Sequence, residues 1–178
     1  MRNARLFIDM DGTIATWQYG TPFEALFEKN YFRNLPPYSN VLAALNMIRT
    51  THNIEMYILS AYFENSRYAL FEKNEWLDEH FPIAKNHRIF IPTGCSKTAA
   101  VVKATGYFSR ADFLLDDYSE NLHDWQRQNG VGIKLLNGGN GTNGTWNGFK
   151  VDRSQMPEDI ATDICACIEK TLNRYLEG

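Results

Sequence analysis

The chain has 178 residues, 44% of them hydrophobic and 22% charged, a balance that fits one globular domain and excludes a disordered chain, a collagen-like repeat or a coiled coil. Eighteen basic residues against 21 acidic ones give a net charge of -3. The basic residues are scattered, so neither a nucleic acid polymer nor a membrane surface is an expected partner.

In chain order, the first apolar run of strand type spans residues 6–8 and ends in Asp9, followed by Asp11, Gly12 and Thr13. These early carboxylates leave no room for the apolar stretch of a signal peptide, and no apolar run of about 18 residues occurs anywhere, so a cytoplasmic protein is expected. Residues 15–37 are long for a simple strand-to-helix connection and carry their own helical spacing at Phe23, Leu26, Phe27 and Tyr31. This predicts a small helical cap inserted after the first strand. Val41, Leu42, Leu45 and Ile48 then mark one buried helix face.

A second strand is predicted over 54–59, leading into Ser60 and Ala61, and is followed by Tyr62 and Phe63, which either add a wall to the site or begin the packing of a helix carrying Tyr68 and Trp76. The third predicted strand, 88–91, leads to the turn Gly94-Cys95-Ser96-Lys97-Thr98. This turn is not a P-loop, because Ser96 stands where that pattern requires glycine before the lysine. The fourth, 113–115, ends in the adjacent Asp116 and Asp117, and a fifth covers 131–136. Residues 137–148 contain two Asn-Gly-Thr triplets, at Asn140 and Asn143, for which turns are the favoured reading over a ligand-binding loop. The last helix follows from Ile160, Ile164, Cys167, Ile168, Leu172 and Tyr175, with Pro157, Glu158 and Asp159 at its start and Lys170 and Arg174 toward its end. Cys95, Cys165 and Cys167 are an odd count and are expected to be reduced thiols.

Strands alternating with helices predict a single α/β domain over residues 1–178, built as a three-layer Rossmann-like parallel sheet. In such a sheet ligands bind beyond the carboxyl ends of the strands. The strand ends here deliver Asp9, Asp11, Ser60, Lys97, Asp116 and Asp117. Clustered carboxylates resist desolvation unless a cation neutralises them, and hard oxygen donors suit Mg²⁺. Ser60 and Lys97 add a hydrogen-bond donor and a positive charge suited to phosphate oxygens, so a phosphate ester is the expected substrate. Taken singly, an Asp at a strand end is more often a helix cap or turn residue and a Ser-Lys pair more often a solvated turn; their joint placement carries the inference.

Leu6-Phe7-Ile8-Asp9-Met10-Asp11-Gly12-Thr13 resembles the first signature of the haloacid dehalogenase (HAD) superfamily. Ser60, Lys97 and the Asp116-Asp117 pair are similar to its second, third and fourth motifs, in order and over nearly the whole chain. The resemblance implies a HAD-like fold and a phosphatase, because Asp11 stands where phosphatase members place their general acid/base. It also implies that Asp9 is the nucleophile of an aspartyl-phosphate mechanism. Mg²⁺ would be held by the Asp9 carboxylate, the Asp11 backbone carbonyl and Asp116, while Ser60 and Lys97 contact the phosphoryl group. Asp117 is left open between an indirect metal ligand and a residue that orients Lys97.

The cap position, the stretch Phe32-Arg33-Asn34-Leu35-Pro36-Pro37 and the ending Asp116-Asp117-Tyr118 are similar to the 5'(3')-deoxyribonucleotidase branch, which implies a nucleoside monophosphate substrate. Trp17 and Tyr19 are then candidates to stack on the base, with Ser60, Ala61 and Lys97 at the phosphate. Phe23, Phe27 and Tyr31 are assigned to cap packing, and Arg67 to solvent. A sugar phosphate or another small phosphomonoester is the nearer competing substrate, and a non-catalytic phosphate-binding module the more distant alternative. Base and sugar preference, and oligomeric state, are not fixed by the sequence.

Overall fold

The computed structural model describes residues 4–140 and 145–175. The expected turn at Asn143 therefore lies outside the described residues. Among these residues six strands form one parallel sheet: β1 (Arg5–Ile8), β2 (Glu55–Tyr62), β3 (Arg88–Pro92), β4 (Asp112–Asp116), β5 (Val131–Leu136) and β6 (Phe149–Asp152), in the order β3-β2-β1-β4-β5-β6. Five α-helices of the described residues connect and cover them: α1 (Ser39–Thr51), α2 (Ala69–His80), α3 (Lys97–Thr105), α4 (Ser119–Arg127) and α5 (Pro157–Arg174). The chain builds outward from β1 to β3, then returns to the other side of β1 for β4. The edges of β1 and β4 therefore meet at the point where the strand order reverses, where open α/β sheets form their crevice.

Alternation along the strands distributes the core between two layers. Leu6 and Ile8 of β1 join α1, α2 and α5 on one face, through residues such as Leu45, Trp76 and Ile164. Phe7 points to the other face, against Trp125 of α4 and beside Tyr57 of β2. Both faces are covered, which is why these strands read as nearly continuous apolar runs. At the opposite end of the sheet from the strand tips, Arg5 and its register partner Asp112 form a buried two-pronged ion pair, each contact 2.7 Å.

The strand β6 was not expected from the sequence. It is a four-residue edge strand in which only Val151 is buried, so it lacks the apolar run that marks the others. Strand β2 extends past the predicted end, so Ser60 and Ala61 lie inside it rather than after it. Lys97 opens α3, where Ser96 caps the helix by accepting a hydrogen bond from the Ala99 amide.

Residues 15–37 contain a short 3-10 helix, Phe23–Phe27, and turns in place of a regular α-helix. Helix α2 holds this segment down. The buried Glu72 carboxylate accepts hydrogen bonds from the backbone amides of Asn30, Phe32 and Arg33, and the Trp76 indole donates to the Leu35 carbonyl at 2.7 Å. Asn30 adopts a left-handed backbone, φ 69°, which turns successive amides toward the same carboxylate.

Glu72→Ala leaves three amides without their charged acceptor, and each such bond is worth about 1.5–3 kcal/mol before relaxation. The expected loss of unfolding free energy is about 3 kcal/mol, with solvent entering at residues 30–33. Denaturant titration together with amide hydrogen exchange checks this: unchanged protection at 30–33 would contradict the anchoring role.

Candidate active site

Each candidate side chain sits where the sheet delivers it. Asp9 immediately follows β1, Ser60 lies in β2, Asp116 closes β4, and Lys97 stands in the first turn of α3. The structure brings these residues together. The Lys97 ammonium donates to Asp9 Oδ1 at 2.7 Å and to Asp116 Oδ2 at 2.6 Å, tying the two strand ends through one buried cation. Burial alone would lower the Lys97 pKa, but Asp116 and Asp9 together hold it raised, so the ammonium stays charged.

Carboxylate oxygens of Asp9, Asp116 and Asp117 lie within 4.8 Å of one another. Burial first, and then the charges of Asp116 and Asp9, push the Asp117 pKa up to about 8. Three oxygen donors forced this close, with one of them driven toward its protonated form, are matched to a hard divalent cation such as Mg²⁺, which would remove the repulsion. Among the described residues no hydrogen bond or ion pair joins Asp117 to Lys97, whose ammonium is held by Asp9 and Asp116. The Asp117 carboxylate accepts from Asn137 Nδ2 at 2.9 Å, and its amide donates to Thr13 Oγ1. Gly12 explains its own presence in the first motif: at φ 81° a side chain is strained, and a Cβ there would run into the Asp117 carboxylate.

The Asp11 carboxylate stands apart from that trio and faces α2. The Lys73 ammonium reaches Asp11 Oδ2 at 2.5 Å, Ser60 Oγ at 2.9 Å and the Ala61 carbonyl at 2.7 Å. The other Asp11 oxygen, Oδ1, is buried and has no hydrogen-bond partner among the described residues. Burial, opposed by Lys73 and assisted by Asp9, raises the Asp11 pKa. A carboxyl with one free oxygen and a raised pKa is suited to carrying a proton.

Lys73 is a site residue that the sequence reading missed. The stretch Phe-Glu-Lys-Asn-Glu-Trp-Leu-Asp-Glu-His looks like a solvated charged helix, yet Ala69, Glu72, Lys73, Trp76 and Leu77 are all buried. That is the spacing of one helix face, so a charged pair set between apolar residues of the buried stripe was the available signal. Asn137 was also missed. It donates to both the Gly12 carbonyl and Asp117, while Asn140 donates to the Asp117 and Leu135 carbonyls. The described part of the glycine-rich loop therefore buttresses the acidic center as well as turning the chain.

The four aspartates open into a cavity of about 760 Å³, walled by Trp17, Tyr19, Phe63 and Tyr118, while Ser60, Lys73 and Lys97 are buried behind that lining. Tyr19 is half exposed; its hydroxyl donates to Asn137 Oδ1 at 3.3 Å and its ring lies against Gly139. Phe23 and Phe27 pack on Phe63 with ring centroids 5.4 and 5.6 Å away, and Tyr31 packs on Phe32, consistent with their assignment to packing. Arg67 is exposed and lies outside this cavity.

Comparison with known proteins assigns the class. A hydrolase from Pseudomonas syringae superposes with a TM-score of 0.59 at 11% identity, covering 92% of this chain and 98% of that one. The D,D-heptose 1,7-bisphosphate phosphatase from B. bronchiseptica, complexed with magnesium and phosphate, gives 0.65 at 10% identity over 91% and 98% of the chains. The HAD domain of the effector protein Lem4 from Legionella pneumophila, an inactive mutant, gives 0.50 at 16% identity over 98% of each. The fold is thus that of the HAD hydrolases, a Rossmann-like parallel sheet. No curated protein matches the chain significantly in sequence. Residues 9–150 match the model of the 5' nucleotidase, deoxy (pyrimidine), cytosolic type C protein family, and the chain belongs to that family. It is a HAD-type phosphatase, a phosphomonoester hydrolase.

Lys73→Met removes the cation from a buried pair whose lysine is 1% and whose aspartate is 20% exposed. Breaking it is expected to destabilise the fold by about 2–3 kcal/mol, below the fully buried range because water still reaches Asp11. Adding Asp11→Asn should restore much of that stability without restoring turnover. Melting and phosphatase assays on the single and double variants check this, and full activity in Lys73→Met would contradict it.

Proposed function

We propose that this protein removes phosphate from nucleoside monophosphates, deoxyribonucleotides foremost, with Mg²⁺ and through an aspartyl-phosphate on Asp9. The observation that carries the reading is the Lys97 bridge between Asp9 and Asp116 at the floor of an aromatic-walled cavity. It sets one carboxylate at the mouth of the sheet beside a fixed positive charge, the arrangement an anionic nucleophile needs to approach an anionic phosphate.

In the first step Asp9 attacks phosphorus in line with the ester oxygen, forming the acyl-phosphate bond as the ester bond breaks. Asp11 gives its proton to the departing oxygen, and in the second step takes one from the water that hydrolyses the acyl-phosphate. Lys73 anchors the Asp11 carboxyl through Oδ2 and so fixes its place beside Asp9. Lys97 and the Ser60 hydroxyl stabilise charge on the phosphoryl oxygens. Asp9, Asp116 and Asp117, with the Asp11 backbone carbonyl, would hold Mg²⁺, which supplies neutralisation of the phosphoryl oxygens when bound. Asn137 keeps Asp117 in position for that role.

Trp17 and Tyr19 form the wall against which a base stacks, joined by Phe63, which the sequence left open between wall and helix packing, and by Tyr118, which it did not assign to the substrate. Ala61 lines the floor beside Ser60. The family description, a cytosolic pyrimidine nucleotidase, supports both the nucleotide substrate and a cytoplasmic setting. Among the described residues no helix is long and apolar enough to cross a membrane.

Phosphate release from dTMP, dUMP, their ribose counterparts and sugar phosphates, with Mg²⁺ or chelator, tests this reading. Metal-dependent release favouring nucleotides is expected, with a loss of about a thousandfold or more in Asp9→Asn at unchanged fold. Preference for sugar phosphates would overturn the substrate, and substantial turnover by the variant would overturn the covalent route.

A further inference from the structure

Lys134 lies in the middle of β5, directly opposite Asp116 in the sheet register. Register partners on neighbouring parallel strands project to the same face and stand about 4.8 Å apart, so Lys134 reaches the same cavity from the strand beyond the acidic center. It is only 3% exposed and lines the cavity wall. Among the described residues its sole hydrogen-bond partner is the Ser119 hydroxyl, at 2.7 Å, and no carboxylate lies within ion-pair distance. Lys73 and Lys97, by contrast, are each committed to aspartates.

A buried ammonium has three N–H donors, and leaving it with one neutral acceptor is costly. An anion brought in by a ligand would complete its partners. Ser119 is the first residue of α4, so the positive end of that helix lies at the same place, with Glu120 the acidic residue of its first turn. Strand spacing plus one lysine side chain puts this point within roughly 10 Å of the acidic center, the span of two phosphates on one sugar.

We propose that Lys134 and Ser119 form a second anion subsite in the cavity, which binds a non-reacting phosphate of the substrate. It rests on the reading that Asp9, Ser60 and Lys97 bind the reacting one. The ligand class is a nucleotide bearing two separate phosphomonoesters, as in a nucleoside 3',5'-bisphosphate. The second group anchors the substrate, and its own ester bond is not broken while it occupies this subsite.

The test compares dTMP with thymidine 3',5'-bisphosphate. Calorimetric binding is measured in the Asp9→Asn background, and again with Lys134→Met or Lys134→Arg added; kcat/KM is measured with Asp9 intact. A tenfold or greater binding advantage of the bisphosphate, abolished by Lys134→Met and kept in part by Lys134→Arg, is expected, with a parallel change in the ratio of kcat/KM values. Equal binding of both ligands in the Asp9→Asn protein, or an equal loss for both in Lys134→Met, would overturn the subsite. The bisphosphate advantage without turnover of either ligand by the Asp9 enzyme would uphold the subsite and overturn the hydrolase reading beneath it. Melting of each variant shows whether it is folded, and Lys134→Arg carries the test if Lys134→Met is not.

Discussion

Four aspartates converge on one edge of this sheet, and the rest of the structure depends on how their mutual repulsion is contained. Two buried lysines do most of the work, in different directions. Lys97 joins Asp9 to Asp116 across the β1–β4 junction, while Lys73 draws Asp11 away toward α2. The four carboxylates are thereby sorted. One group remains beside a fixed cation at the strand tips, and a second stands to the side with a free oxygen and a raised pKa. Environments that separate otherwise similar acids are what allow one to act as nucleophile and another as proton donor. Asp117, which neither lysine bonds, is held by Asn137 and Thr13 and completes the group of oxygens suited to a divalent cation.

Helix α2 links this electrostatic arrangement to the shape of the cavity. Glu72 and Lys73 are neighbours in sequence and both are buried, yet one turns to the segment after β1 and the other to the Asp11 carboxylate. A displacement of α2 would therefore loosen the aromatic wall and disturb Asp11 together. The opposite side of the cavity is fixed in a comparable way. Tyr19 rests on Gly139, and Asn137 bridges Gly12 and Asp117. The segment following the first strand is thus pinned at both flanks, which lets a stretch with a single turn of 3-10 helix keep its place.

The principal site residues were legible because each follows, or nearly follows, an apolar run. Once the alternation of strands and helices is recognised, topology alone carries Asp9, Asp116 and Asp117 to one edge, and Lys97 follows from its place at the start of a helix. Lys73 was hidden because helix α2 is rich in charge on both faces, and only the register against Ala69, Trp76 and Leu77 separates its buried charges from its exposed ones. Lys134 was hidden inside a strand counted as apolar. The cap was legible as an insertion but not in its secondary structure: its aromatic spacing is satisfied by packing on Phe63 and Phe32, which lie outside any helix of its own. The edge strand β6 had too little buried surface to leave a pattern.

The central claim is that this sorting of carboxylates makes Asp9 alone the group that accepts phosphate. Quenching the enzyme during turnover and reducing it with borohydride converts an acyl-phosphate to the corresponding alcohol, which peptide mass spectrometry locates. The account predicts homoserine at position 9, dependent on substrate and on Mg²⁺, with Asp11, Asp116 and Asp117 unmodified. Reduction at another aspartate, or none at any position under conditions that trap other acyl-phosphates, would contradict it.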